Sequence, residues 1–218
     1  MMDRKRLGKS GGLLVGLLLL ILISGVSPGG NGYLLDLLIW VYYLLVFCIG
    51  GYLLSASKHW LKVSLCLAIP TFLIGVLSSV VEPSMTLRLV AHSGALLLQA
   101  LMILVVIKFS LFDETSGEIG RLVAGVCGYL IFALLCANLY GICETVSPGG
   151  FNSNDGRPVT EESGMLLYFS LVTLTTLGYG DISPATNLTR TLSALEAVLG
   201  SLYLVIFIAS LIPRKGGK

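Results

Sequence analysis

Charge is what this chain has least of. Asp, Glu, Lys and Arg together make up 12% of its 218 residues, against about a quarter in an ordinary soluble domain. With 55% apolar residues and a mean hydropathy of +0.90, a soluble globular protein is excluded and an integral membrane protein is indicated. A net charge of +2 is too small to hold nucleic acid. Histidine is scarce as well, and His59 and His92 stand apart from any cluster of cysteines or acids. The five cysteines (Cys48, Cys66, Cys127, Cys136, Cys143) lie inside apolar runs with no C-x-x-C pair, which fits buried packing and not zinc. Without a His/Cys/acid cluster, a nucleophile elbow or a phosphate-binding loop, the reading is that the chain is not an enzyme and uses no cofactor.

What remains is a series of long apolar runs. Residues 11–26, 33–54, 61–81, 87–109, 121–143 and 188–212 each hold about 20 residues, the length that crosses ~30 Å of hydrocarbon at 1.5 Å per residue. The first run follows Arg4, Lys5, Arg6 and Lys9, as a signal peptide would. Pro28 directly after the plausible cleavage point favours a retained helix. Pro70 is expected to kink the third run. Six spans put both termini on one side. Arg4, Lys5, Arg6, Lys9, Lys58, Lys62, Lys108, Arg121, Arg214, Lys215 and Lys218 fall on that side, eleven of the fourteen cations, so both ends are expected in the cytoplasm. The minimal length points to a prokaryotic plasma membrane.

The most informative stretch is Thr175-Thr176-Leu177-Gly178-Tyr179-Gly180-Asp181. Its two glycines let the backbone adopt positive φ at little cost, so carbonyls can turn aside and replace the water around a cation. Before it lies a short apolar helix candidate, 164–174, too short to span a bilayer. After it comes a full-length apolar run. This arrangement resembles the T-x-G-Y-G selectivity filter and pore of tetrameric potassium channels, over roughly residues 121–212. The resemblance implies an ion-binding set of Thr176, Leu177, Gly178, Tyr179 and Gly180. The first four would supply carbonyl rings for potassium, and Thr176 would add its hydroxyl. Leu177 stands where the commonest version has Val.

Other residues are expected to support the filter. Thr160 is an N-cap candidate for the short helix, with Glu161 and Glu162 in its first turn, where the dipole favours acids. The opposite end, near Thr173 and Leu174, would turn aligned carbonyls toward a waiting cation. Thr175 flanks the filter. The bacterial relatives' acid, one turn before the filter Thr, is replaced by Val172, so Asp181 needs another partner, and Tyr168 is the candidate. Glu196 lies deep in the last run. It either braces the filter through Thr173 or Ser170, or lines the ion path. Gly200 sits where inner helices of the family bend. If it faces the cavity, Leu204, Ile208 and Ile212 follow on one face and form a hydrophobic gate.

The domains expected are a basic cytoplasmic N-terminus (1–10), a four-helix peripheral domain (11–112), a pore domain (121–212) and a short tail (213–218). The fourth run has Arg88 at its outer end, Lys108 at its inner end and only His92 between. Regularly spaced cations are missing, which argues against voltage sensing. The peripheral helices would form a scaffold, or a site for an unknown regulatory ligand or subunit. The fold class is therefore an all-α membrane protein of six transmembrane helices, with a re-entrant pore helix and filter between the fifth and sixth. One filter segment cannot surround an ion, so three identical subunits must join it in the bilayer. The expected function is passive, potassium-selective conduction. The alternatives are a weakly selective cation channel and the membrane subunit of a potassium uptake transporter.

Overall fold

The computed structural model describes residues 2–26, 40–41, 43–48, 50, 58–80, 84–112, 118–156, 158–159 and 164–211. It is mostly helical. Helix α1 runs Met2–Val26, α2 Lys58–Val80, α3 Met85–Phe112 and α4 Glu118–Val146. They are followed by strand β1 (Phe151–Ser153), helix α5 (Met165–Leu174), strand β2 (Ile182–Pro184) and helix α6 (Asn187–Leu211). The described residues between 40 and 50 are also helical. Met85–Ser110, Glu118–Val146 and Asn187–Leu211 are long and apolar enough to cross a membrane, whereas Ser10–Ser24, Lys62–Ser78 and Met165–Leu174 are shorter apolar helices.

Several boundaries differ from the sequence reading. The basic segment before residue 11 is helical and continuous with α1, and α4 continues past Cys143 through Glu144 to Val146. The connection after Val146, expected to be irregular throughout, contains a strand. Phe151, Asn152 and Ser153 pair antiparallel with Pro184, Ser183 and Ile182, so the fold is not purely α-helical. Phe151 and Ile182, both buried, supply the apolar contact that makes this short pairing worthwhile. Thr160, Glu161 and Glu162 lie outside the described residues. Gly164 occupies the N-cap of α5 and makes no side-chain capping bond.

Helix α4 is the hub, packing against α1, α3, α5 and α6. One face carries Asn138 and Gly141 toward α3. There Asn138 Nδ2 donates to the Leu134 carbonyl (3.0 Å) and to Gln99 Oε1 (3.2 Å), and Asn138 Oδ1 lies 3.0 Å from His92 Nδ1. Its other face carries Tyr129, Ala133 and Tyr140 toward α5. The main core joins Leu17 and Leu20 of α1, Leu98 and Met102 of α3, and Cys127 and Ile131 of α4. A second, smaller cluster sits at the loop end of the pore region. In it Tyr140, Phe151 and Phe169 meet edge to face, with ring centroids 5.1–5.4 Å apart.

Candidate functional site: the filter strand and its supports

The strand after α5 has an unusual backbone. Gly178 (φ 59°) and Gly180 (φ 75°) adopt positive φ, and so does Thr176 (φ 59°), while Leu177 and Tyr179 between them do not. When left- and right-handed residues alternate, successive peptide planes swing the same way and their carbonyls collect on one side. The two glycines make this cheap. Thr176 has no such freedom, and a non-glycine residue held there is the kind of strain that gathers at functional sites.

The amides on the other side are tied back to α5. Thr176 N–H donates to the Thr173 carbonyl at 3.0 Å, and Leu177 and Gly178 both donate to the Val172 carbonyl, at 3.0 and 3.3 Å. Thr175 donates its N–H (3.0 Å) and its hydroxyl (2.7 Å) to Leu171. The last four carbonyls of a helix normally lack partners within it. In α5, three of the four are taken up by the strand that follows. The fourth, on Leu174, accepts the Tyr129 hydroxyl of α4 at 2.7 Å. Each carbonyl at this helix end thus already holds one donor. The carbonyls of Thr176, Leu177, Gly178 and Tyr179 differ: among the described residues, none of them accepts a hydrogen bond.

Gly180 parts company with those four. Its carbonyl accepts Asn154 Nδ2 at 2.9 Å, so it already has a partner. Asn154 also donates its backbone N–H to the Asp181 carbonyl at 2.8 Å, and so holds the end of the strand from the β1 side. The Asp181 carboxylate is paired at both oxygens, accepting the Tyr168 hydroxyl at 2.6 Å and the Ile182 amide at 3.0 Å. The bond to Asp181 pushes the Tyr168 phenol up to about 12, so the donor keeps its proton throughout the physiological range.

Glu196 of α6 is buried, and its carboxylate points at the back of α5. It accepts Ser170 Oγ at 2.5 Å and the Tyr140 hydroxyl of α4. Ser170 also lies 2.8 Å from the Ala133 carbonyl, and its one proton cannot serve both acceptors fully. Tyr140 remains a donor to Glu196 in either case. The partner from α5 is thus Ser170; among the described residues no hydrogen bond joins the Thr173 hydroxyl to Glu196.

Gly200 is also turned inward. A Cβ there would meet the Leu174 side chain and lie 3.0 Å from the Leu174 carbonyl oxygen, so this glycine permits α6 to approach the base of α5. The helix continues unbroken through it. Gly200 is buried against Leu174, whereas Leu204 is 40% and Ile208 60% exposed further along the same face. Ile212 lies outside the described residues.

The supports that sequence reasoning missed are Asn154, Tyr129, Tyr140, Glu144 and Thr189. Glu144 is buried and accepts the amides of Gly149 (2.6 Å) and Gly150 (2.9 Å), while Thr189 Oγ1 donates to the Gly150 carbonyl at 2.8 Å. A signal for the two tyrosines was available. They are eleven residues apart, about three helical turns, which sets two polar tips on one face of an otherwise apolar helix. Nothing distinguished Asn154 from the other polar residues of its loop.

Residues 127–213 match the family model described as ion channel. This part of the chain is similar to ion channels. The matched stretch takes in most of α4, the whole of α5, the filter strand and α6, and it supports a channel embedded in a membrane. Ions are the cargo of such a channel, and no cofactor takes part. No curated protein and no solved structure matches the chain.

Proposed function

We propose that the chain is one of four identical subunits of a passive, potassium-selective channel. The observation that carries this is the run of four unpartnered carbonyls, Thr176 to Tyr179, on a backbone whose amides at residues 176–178 are held from behind. The strand is exposed in a single chain, but once four copies enclose it each carbonyl left without water or ion would cost several kcal/mol, so the enclosed strand needs an occupant that coordinates carbonyl oxygens. A dehydrated monovalent cation meets that need when four copies face one axis. Gly180 drops out of the coordinating set, and Thr176 contributes its hydroxyl as well as its carbonyl.

The four-fold assembly also accounts for the exposed apolar side chains. In a single chain Leu177 is 56% and Tyr179 67% exposed, and Val198, Leu202 and Val205 of α6 are at least half exposed. Neighbouring subunits and lipid would cover them. Six spans with both termini cytoplasmic follow from the cation distribution, and the plasma membrane of a prokaryote is the setting proposed. Glu196, held between Ser170 and Tyr140, serves as a brace and not as part of the ion path. Leu204 and Ile208, with Ile212 beyond them, form the gate. The peripheral helices lack a ladder of cations. Moving one charge through 100 mV is worth about 2.3 kcal/mol, and α3 offers none mid-span, so opening is not voltage-driven.

The test is purified protein in liposomes, with flux measured under potassium and then sodium gradients. Potassium flux well above sodium flux supports the reading. Equal fluxes would leave a weakly selective cation channel, and no flux in either gradient would return the transporter-subunit reading.

A further inference from the structure

The junction where the pore helix becomes the filter is closed from three sides by the chain's own segment and from one side by another helix. Leu171, Val172 and Thr173 give their carbonyls to Thr175, Thr176, Leu177 and Gly178. The Leu174 carbonyl alone is left over, and Tyr129 of α4 takes it at 2.7 Å. That carbonyl lies between the phenol and Gly200, where an added Cβ would come within 3.0 Å of it. Leu174 itself is 1% exposed, so water cannot replace the phenol without opening the packing. The peptide unit that Tyr129 grips is the one that leads directly into Thr175 and Thr176.

We propose that Tyr129 is a positioning residue for ion selection. It touches no ion. Its hydroxyl anchors the Leu174 carbonyl to the outer helix, which fixes the plane of the Leu174–Thr175 peptide and hence the height and direction of the Thr176 carbonyl and hydroxyl. Without the phenol the Leu174 carbonyl must find another donor. The nearest candidates are filter amides now committed to Val172 and Thr173, and recruiting one would rotate the lowest carbonyl ring. The geometry isolates this effect from general packing, because a second phenol at the same interface provides a contrast. Tyr203 of α6 donates to the Gly125 carbonyl at 2.6 Å, with its ring 5.8 Å from that of Tyr129. It joins α6 to α4 at the Gly125 carbonyl, away from the Leu174 carbonyl that Tyr129 holds.

This inference rests on the potassium-channel reading, and the experiment separates the two. The unmutated protein, Tyr129→Phe and Tyr203→Phe are reconstituted in liposomes, and the potassium-to-sodium permeability ratio is measured beside the tetramer's thermal stability. Tyr129→Phe is expected to lower the ratio by about fivefold or more, the factor that one lost hydrogen bond is worth, with the tetramer retained. Tyr203→Phe is expected to leave the ratio unchanged. Should Tyr129→Phe assemble poorly, Tyr129→Met lacks the same hydroxyl, adapts its packing, and is read in its place. A ratio unchanged in the Tyr129 variants, or lowered equally by Tyr203→Phe, would overturn the positioning role alone. An unmutated protein without potassium preference would overturn the channel's selectivity and this role together.

Discussion

The two sides of the filter strand are built on opposite principles. Behind it, one polar group after another meets a partner. The amides of residues 176–178 reach α5, the Asp181 carboxylate meets Tyr168, Asn154 holds the Gly180 carbonyl, and Glu196 sits between Ser170 and Tyr140. In front, four successive carbonyls accept nothing. Those residues are exposed in the single chain, so the contrast marks the front as a surface open to a ligand and the back as the frame that aims it. A frame of this kind costs no reorganisation when the ion arrives.

The sharpest way to break the contrast is to deny the front its backbone geometry. Gly178→Ala forces a side chain onto a residue at φ 59° where no neighbouring atom obstructs it. The penalty is therefore conformational, about 1–2 kcal/mol in each chain. We expect the potassium preference in liposome flux to be abolished. A variant as selective as the parent would mean that the positive φ is not needed for the carbonyls to converge.

Breaking the back should cost assembly before selectivity. Glu196→Ala leaves the buried Tyr140 hydroxyl without its acceptor, and a buried donor left unsatisfied costs about 1–3 kcal/mol. The tetramer should dissociate at a markedly lower temperature when heated and resolved by size exclusion. Glu196→Gln, which retains an acceptor, should fall between it and the parent. Unchanged stability in both would remove Glu196 from the frame.

Tyr168→Phe is a gentler test. The pair with Asp181 is exposed to solvent, so its loss should spare expression and tetramer stability while shortening open bursts in single-channel recordings. The same pair sets a weaker expectation with pH. The Tyr168 pKa is raised from 10.0 to about 12, so the stabilisation it brings is fully present below pH 10 and lost as pH rises through about 12. External alkalinisation from pH 7 to 9 should leave burst length unaffected by this pair, whereas shortening in that range that disappears in Tyr168→Phe would contradict it.

The same contrast explains what could be read from the residues alone. The front was legible because it is local: two glycines around one tyrosine, between a short apolar helix and a long one, announce an abnormal backbone with no long-range information. The pairing of Tyr168 with Asp181 was legible for a related reason, since Val172 at the position of the missing acid forced a search along one short helix. The remaining supports join residues far apart in sequence, as with Tyr129 to Leu174 and Asn154 to Gly180, and chain order does not say which polar tip reaches which carbonyl. The role of Gly200 was left open on these grounds. A glycine within an apolar helix reads equally as a bend or as a close approach, and only the Leu174 carbonyl beside it decides. The β1–β2 pairing escaped because each strand is three residues long, shorter than any hydrophobic period can mark.

The central claim is that the four unpartnered carbonyls form a potassium-selective surface when four chains meet. Its most direct test is the flux of the unmutated protein in sealed liposomes of defined lipid, under opposed potassium and sodium gradients, with tetramers verified in the same preparation. The account predicts a tetramer that passes potassium and strongly disfavours sodium. A well-folded tetramer passing both ions equally would contradict it.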